Sequence, residues 1–184
     1  MNKGQLYYVM GPSGAGKDSV LGWVRAHGVS HDVLCAHRYI TRPANAGGEN
    51  HIALSEAEFM SRAHRGLFAL TWCAHGLHYG IGREVDHWLE RGANVLVNGS
   101  RDAYAQACKR FPSLQPVLIT AHRDIIAKRL ASRGRESDED IAERLARIDA
   151  YRPPEGTLVI HNDGDLTEAG AALLEAITQP HYVS

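Results

Sequence analysis

Residues 11–17 read Gly11-Pro12-Ser13-Gly14-Ala15-Gly16-Lys17, between the apolar run Leu6 to Met10 and a helical pattern carrying Val20, Leu21 and Val24. A strand that ends in a glycine-rich turn and re-emerges as a helix leaves the chain few options. The glycines let successive backbone N–H groups converge on one point, the helix N-terminus adds partial positive charge, and Lys17 reaches the same space. This is the G-x-x-x-x-G-K pattern of a loop that cradles phosphates. A glycine-rich turn with a chance lysine is the alternative, and the strand–loop–helix context disfavours it. One position departs. The residue after Lys17, where a Ser or Thr hydroxyl ordinarily reaches Mg²⁺, is Asp18, followed by Ser19. A carboxylate is a good ligand for a hard cation, so Asp18 is the candidate metal ligand, directly or through water; as a first-turn acid it also complements the helix dipole.

The rest of the chain alternates in the same way. Val33 to Ala36, Val95 to Val97, Val117 to Ile119 and Leu158 to Ile160 are short β-rich runs, separated by helical patterns near 102–110, 123–132, 138–151 and 167–178. Continuous apolar runs of this kind suit strands buried on both faces of a parallel sheet, and the alternation argues for an α/β layered fold with right-handed crossovers. Residues 37–92 interrupt it with Gly47-Gly48, a helix start at Ser55 (Glu58 three residues on completes a capping-box pattern) and aromatic strands around 68–72 and 78–81. So long an insertion reads as a functional lobe over one edge of the sheet, within a single domain whose core is 1–36 and 93–184. The strand Val95-Leu96-Val97 ends in Asn98-Gly99-Ser100, without the acid that often follows a second core strand. That gives Asp18 more weight and makes Asn98 or Ser100 a candidate for holding a metal-bound water or a substrate hydroxyl.

Charge narrows the classes. Lys and Arg total 20 against 21 acidic residues, for a formal net charge of −1, which argues against a dedicated nucleic-acid binder. No apolar run approaches the roughly 18 residues that span a membrane. Cys35, Cys73 and Cys108 are scattered and far from metal or disulfide spacing, so the expectation is a cytoplasmic protein with reduced thiols. The basic residues are 16 Arg and 4 Lys. Many of the arginines fall in residues 123–152: Arg123, Arg129, Arg133, Arg135, Arg144, Arg147 and Arg152. There Ser137 precedes an acidic first turn, and Ile141, Leu145 and Ile148 form a core-facing stripe. Arg144 and Arg147, three apart, can address one anion, and with Arg133 they suit a lid that closes over a migrating phosphoryl group. A solvated face of i,i+4 pairs such as Asp140 to Arg144 is the alternative.

Together these residues resemble the guanylate-kinase-like group of P-loop kinases from about residue 5 to 178. The loop Gly11 to Lys17, Thr41-Arg42 with Gly48-Glu49, Tyr79-Gly80, Arg129-Leu130 through Arg133-Gly134, Arg144-Leu145 and Asn162-Asp163 carry the likeness. The resemblance implies a P-loop NTPase-type three-layer fold with a parallel central sheet, an inserted acceptor-binding lobe and a helical lid. It also implies ATP and Mg²⁺ as cofactors, with Arg133 and the strand-end Asn162 near the nucleotide. Guanine recognition is missing. Thr71 stands before Trp72 where a carboxylate is expected, Ile81 replaces a Ser after Tyr79-Gly80, the basic lobe pattern becomes Thr41-Arg42-Pro43-Ala44-Asn45, and no Tyr follows Glu49 through Leu54. A guanine pocket without its polar partners discriminates poorly, so GMP is a poor acceptor.

The departures are themselves similar to a narrower family, the ribose 1,5-bisphosphate phosphokinases. Gly-Lys-Asp-Ser at 16–19, Tyr39-Ile40-Thr41-Arg42-Pro43, Glu49-Asn50-His51-Ile52-Ala53-Leu54-Ser55 and Leu96-Val97-Asn98-Gly99-Ser100-Arg101 carry it. That likeness implies a small-molecule acceptor, ribose 1,5-bisphosphate, converted to 5-phosphoribosyl 1-diphosphate in a route that uses phosphonates. The expected catalytic residues are Lys17, Arg133, Arg144 and Arg147. Arg38 and Arg42 suit one acceptor phosphate, and Arg101 the other. Glu49, His51, Tyr79 and Asn98 suit hydroxyls or the orientation of a phosphate. Arg38 as a strand-end surface residue and Glu49 as a cap or partner of Arg42 are the plainer alternatives. Two other functions stay open: a nucleoside or sugar monophosphate kinase of the same group, and a non-catalytic guanylate-kinase-like domain that binds a protein.

Overall fold

The fold comes from a computed structural model that describes residues 2–179. Nine strands and seven helices run β1 (Leu6–Met10), α1 (Lys17–His27), β2 (Val33–Cys35), β3 (Arg38–Ile40), β4 (Ile52–Ala53), α2 (Glu56–His64), β5 (Phe68–Ala74), β6 (Leu77–Gly82), α3 (Glu84–Glu90), β7 (Asn94–Asn98), α4 (Tyr104–Arg110), β8 (Gln115–Thr120), α5 (Arg123–Ser132), α6 (Asp138–Ala150), β9 (Leu158–His161) and α7 (Leu166–Thr178) among the described residues. Strands β2-β7-β1-β8-β9 form a five-stranded sheet in which every pairing is parallel, with β1 at the centre. Strands β4-β3-β6-β5 form a second, mixed sheet.

Strand β1 shows why the sheet is buried on both sides. All five of its residues are buried, and alternate ones enter different cores. Tyr7 and Val9 join Val20, Leu21 and Val24 of α1 and Leu173 and Ile177 of α7, with Leu96, Val117, Ile119 and Ile160 from the neighbouring strands. Leu6, Tyr8 and Met10 join Val95 and Val97, Ala69 and Leu70 of β5, Ile81 of β6, Val85 and Leu89 of α3, and Ala107 of α4. The expectation of a lobe over one edge of the sheet is corrected here. The β5–β6 hairpin and α3 cover a face of the sheet, because the even-numbered residues of β1 are large and apolar and need a second layer. Helix α3 is not among the elements expected from sequence.

Local signals account for the element ends. Ser55 caps α2, its Oγ accepting from Glu58 N at 3.1 Å, but the Glu58 carboxylate takes Arg62 at 2.8 Å instead of closing the box. Ser137 and Asp140 close a full capping box at the start of α6. Helices α5 and α6 share a small core of their own, with Ile126 and Leu130 against Ile141 and Leu145. The lobe and lid are contiguous in chain and packing with the core, and no helix among the described residues is long and apolar enough to cross a membrane. Cys35, Cys73 and Cys108 are free thiols.

Ile119 is fully buried in the central sheet. Replacing it with Ala should lower stability by about 2–5 kcal/mol. In urea titration this is expected as a lower midpoint at an unchanged slope.

Candidate active site

The carboxyl ends of the parallel strands converge on the loop between β1 and α1, which is where open α/β sheets place ligands. Gly14 and Gly16 hold φ of 89° and 78°, in the left-handed region. A Cβ on Gly16 would lie 2.5 Å from Asn162 Nδ2, and one on Gly11 2.4 Å from the Ile119 carbonyl oxygen, so these positions need glycine for space as well. The loop is held from behind. Asn162, buried at the end of β9, donates from Nδ2 to Ala15 O at 2.9 Å. Arg129 of α5 donates from Nη1 to Gly14 O at 3.2 Å and Ala15 O at 3.3 Å, and from Nη2 to Asn162 O at 2.8 Å. With those carbonyls turned inward, the amides of Gly14, Gly16 and Lys17 take no acceptor among the described residues. They are left for an anion.

Lys17 stands at the start of α1. Burial pushes its ammonium down to about 8, the nearby Arg38 and Arg101 adding to the shift and Asp18 and Glu49 opposing it. Asp18, on the exposed side of the first turn, accepts from Asn98 Nδ2 at 3.2 Å. Asn98 Oδ1, at the carboxyl end of β7, is buried and without a partner among the described residues. Gly16, Ser19, Arg129, Arg133 and Asn162 line a cleft of about 340 Å³ on one side of the loop. Asp18, Arg38, Glu49 and Asn98 line a cavity of about 40 Å³ on the other. Pro12 is buried and Ser13 exposed.

The second sheet brings the remaining expected residues together in a way that sequence did not suggest. Arg38 forks onto Glu49, Nε donating to Oε2 at 2.9 Å and Nη2 to Oε1, and its guanidinium lies 4.9 Å over the Tyr79 ring. Tyr79 stacks on Trp72 with ring centroids 5.5 Å apart and planes 4° from parallel. Burial works to raise the Glu49 carboxyl, but the hydrogen bonds and charge of Arg38, and then the charge of Arg42, hold it below the usual carboxylate range. His51 is buried with both ring nitrogens on Arg42: Nε2 is 3.0 Å from the Arg42 carbonyl and Nδ1 3.2 Å from Nη2. The network makes it the Nε2–H tautomer, donating at Nε2 and accepting at Nδ1. The structure thus has His51 orient Arg42, where the sequence suggested a hydroxyl contact.

The lid arginines are divided. Arg144 pairs with Glu136 at 2.5 Å, whereas Arg133, at the end of α5, and Arg147 are exposed and carry no ion pair among the described residues. Arg101 lies 4.8 Å over the ring of Tyr151, at the C-terminus of α6. Sequence reasoning names Arg129 only among the lid arginines and gives it no role at the loop, although its place one helical turn before Arg133 on α5 is a usable signal.

No family model matches the chain. Among curated proteins, ribose 1,5-bisphosphate phosphokinase PhnN of Chromobacterium violaceum is 53% identical over 171 residues, 93% of this chain and 92% of that protein. The chain belongs to the ribose 1,5-bisphosphate phosphokinase family. A longer relative of the same name from Laribacter hongkongensis is 57% identical over 171 residues; they cover 93% of this chain and 42% of the relative. Among solved structures, the guanylate kinase of Anaplasma phagocytophilum superposes with a TM-score of 0.68 at 16% identity, over 96% of this chain and 85% of that one. That likeness shows the fold, a P-loop NTPase core with a parallel sheet.

The geometry of the loop can be tested at two residues. Arg129→Ala strips three carbonyls of a charged donor, and is expected to cost about 1–3 kcal/mol of stability. Titration with a fluorescent ATP analogue should show binding at least about ten-fold weaker, a loss that Arg129→Lys restores only in part because an ammonium lacks the fork. Lys17 favours a polyanion only when protonated, and its folded-state value is about 8. Affinity for the same analogue should therefore be flat below pH 7 and fall as pH rises from 7.5 to 9, roughly ten-fold per unit at the steepest.

Proposed function

We propose that the chain transfers the γ-phosphoryl group of ATP to the 1-phosphate of ribose 1,5-bisphosphate, releasing ADP and 5-phosphoribosyl 1-diphosphate, in the use of phosphonates. The observation that carries this reading is the acceptor side of the site. It gathers Arg38 and Arg42 beside the stacked Tyr79, while Thr71 stands where guanine recognition would need a carboxylate and Ile81 where it would need a hydroxyl. A ribose bisphosphate has two phosphates and two free hydroxyls and no base edge to read.

The nucleophile is an oxygen of an already ionised phosphate, so no general base is needed and catalysis reduces to alignment and neutralisation of charge. The loop amides and Lys17 hold the β and γ phosphates. Arg133 lies in the nucleotide cleft, and Arg144 and Arg147 reach the migrating group once the lid closes and Arg144 leaves Glu136. Asp18 would provide a hard oxygen for Mg²⁺, and Asn98 Oδ1, without a partner among the described residues, is suited to a metal-bound water or an acceptor hydroxyl. The described residues hold no cluster of three or more His, Cys, Asp or Glu that could bind a metal unaided, which suits a cation shared with nucleotide phosphates. Bound Mg²⁺ would screen the charge of the β and γ oxygens. Arg101 faces the second phosphate of the acceptor on leaving Tyr151.

The test is ADP formation with Mg-ATP and either ribose 1,5-bisphosphate or GMP. Turnover of the bisphosphate should exceed that of GMP by about 100-fold or more in kcat/KM. Faster turnover of GMP would overturn the assignment, and silence with both would favour a domain that only binds.

A further inference from the structure

The Arg38 fork is closed here by a carboxylate of the chain itself. Glu49 engages Nε and Nη2 of Arg38 together, its Oε1 lies 3.8 Å from Arg42 Nη2, and the Arg38 and Glu49 side chains are 13% and 12% exposed. Arg38 is fixed from another side by the Tyr79 ring, and Arg42 by His51 and the Gly47 carbonyl. The cations are therefore set in place by groups other than Glu49. The chain before the carboxylate is looser than the chain after it. Residues 43–48 are all exposed, and Gly47 and Gly48 hold φ of 79° and 91° with nothing within 4 Å of where a Cβ would stand. After Glu49 the backbone is anchored, by the Glu49 carbonyl 3.4 Å from His51 Nδ1 and by Asn50 between Arg25 and His37, so what the two arginines alone hold is the carboxylate itself.

We propose that Glu49 is a gating carboxylate, which fills the phosphate seat between Arg38 and Arg42 until a dianionic phosphate group displaces it. The proposal rests on the reading of these two arginines as the acceptor seat. A phosphate dianion brings twice the charge and three acceptor oxygens to two guanidinium groups, whereas the carboxylate brings one charge and two. The released carboxylate passes into water at the exposed loop. A singly charged group cannot make the exchange favourable, so the gate selects for phosphate over carboxylate acceptors. It also weakens apparent acceptor binding by the fraction of molecules in which the seat is open. The sign is therefore opposite to that of a residue that holds substrate: removing the charge should tighten binding.

Glu49→Gln keeps size and removes charge. The dissociation constant of inorganic phosphate, measured by calorimetry on the full chain without nucleotide, is expected to fall about five-fold or more as the seat opens. The KM for ribose 1,5-bisphosphate should fall in parallel. A rise in the phosphate dissociation constant, or no change, overturns the gate. Should Glu49→Gln fail to fold, Glu49→Asp, whose shorter arm cannot span the fork, is titrated with phosphate instead: tighter binding supports the gate, and weaker or equal binding overturns it. Phosphate binding does not depend on which acceptor is phosphorylated. Tighter phosphate binding by the variant in a chain that does not turn over the bisphosphate would uphold the gate and remove the acceptor assignment.

Discussion

The inward tie of the Gly14 and Ala15 carbonyls is the interaction on which the site depends. A loop of glycines has many conformations, and in most of them its amides do not converge. Here Asn162 and Arg129 bind the carbonyl side, which leaves the amide side as the face for an anion. The same two residues join three segments far apart in sequence: the loop, the end of β9 and the lid helix α5. Since Arg129 also bonds the Asn162 carbonyl, displacement of α5 would disturb the loop directly. The loop between β1 and α1 and the helix α5 are tied mechanically, and Arg133, at the C-terminal end of α5, takes its position from that tie.

Charge around the candidate site and along α5 and α6 is arranged in internal pairs. Arg38 is on Glu49, Arg144 on Glu136, and Arg123 on Asp149. The buried side-chain atoms left without partners among the described residues are Arg42 Nε, Asn98 Oδ1 and Glu136 Oε2. Each belongs to a candidate site residue or to the partner of one. Unpaired buried polar atoms are uncommon and costly, and they concentrate where a protein is shaped for something other than its own stability. The near-zero net charge is thus an average over strong, locally cancelled pairs that substrate can reopen.

Much of this is legible in the sequence, and the limits have physical causes. The phosphate loop, the five core strands, the start of α6 and the ends of α5 follow from patterns contained within a few residues: apolar runs, glycine spacing, a capping serine. What escapes depends on contacts between residues far apart. Nothing local marks Arg129 as a strut for carbonyls 114 and 115 positions away, although its spacing from Arg133 places both on one helix face. His51 reads as a polar residue in a loop; only the fold shows both nitrogens consumed by Arg42. The lobe reads as lying over an edge because an insertion gives no sign of which surface it will cover. The second layer is nevertheless implied by β1 itself, whose five consecutive large apolar residues require cover on both faces.

The preponderance of arginine has a structural explanation beside the electrostatic one. Arg129 reaches three carbonyl oxygens with two nitrogens, Arg38 engages both oxygens of Glu49 while stacking on Tyr79, and Arg42 bridges His51 and the Gly47 carbonyl. The Arg129 and Arg38 contacts use the flat fork of a guanidinium; a lysine ammonium has three donors, but on a single atom, and cannot present two of them side by side from separate nitrogens. The requirement is different at Lys17. There the cation must fit beside the amides of a tight loop, and its value near 8 lets nearby charge tune it. A guanidinium would stay charged and would demand more room. The single lysine of the site and the arginines around it therefore answer different demands: a slender charge at the phosphates, and rigid forks that position what surrounds them.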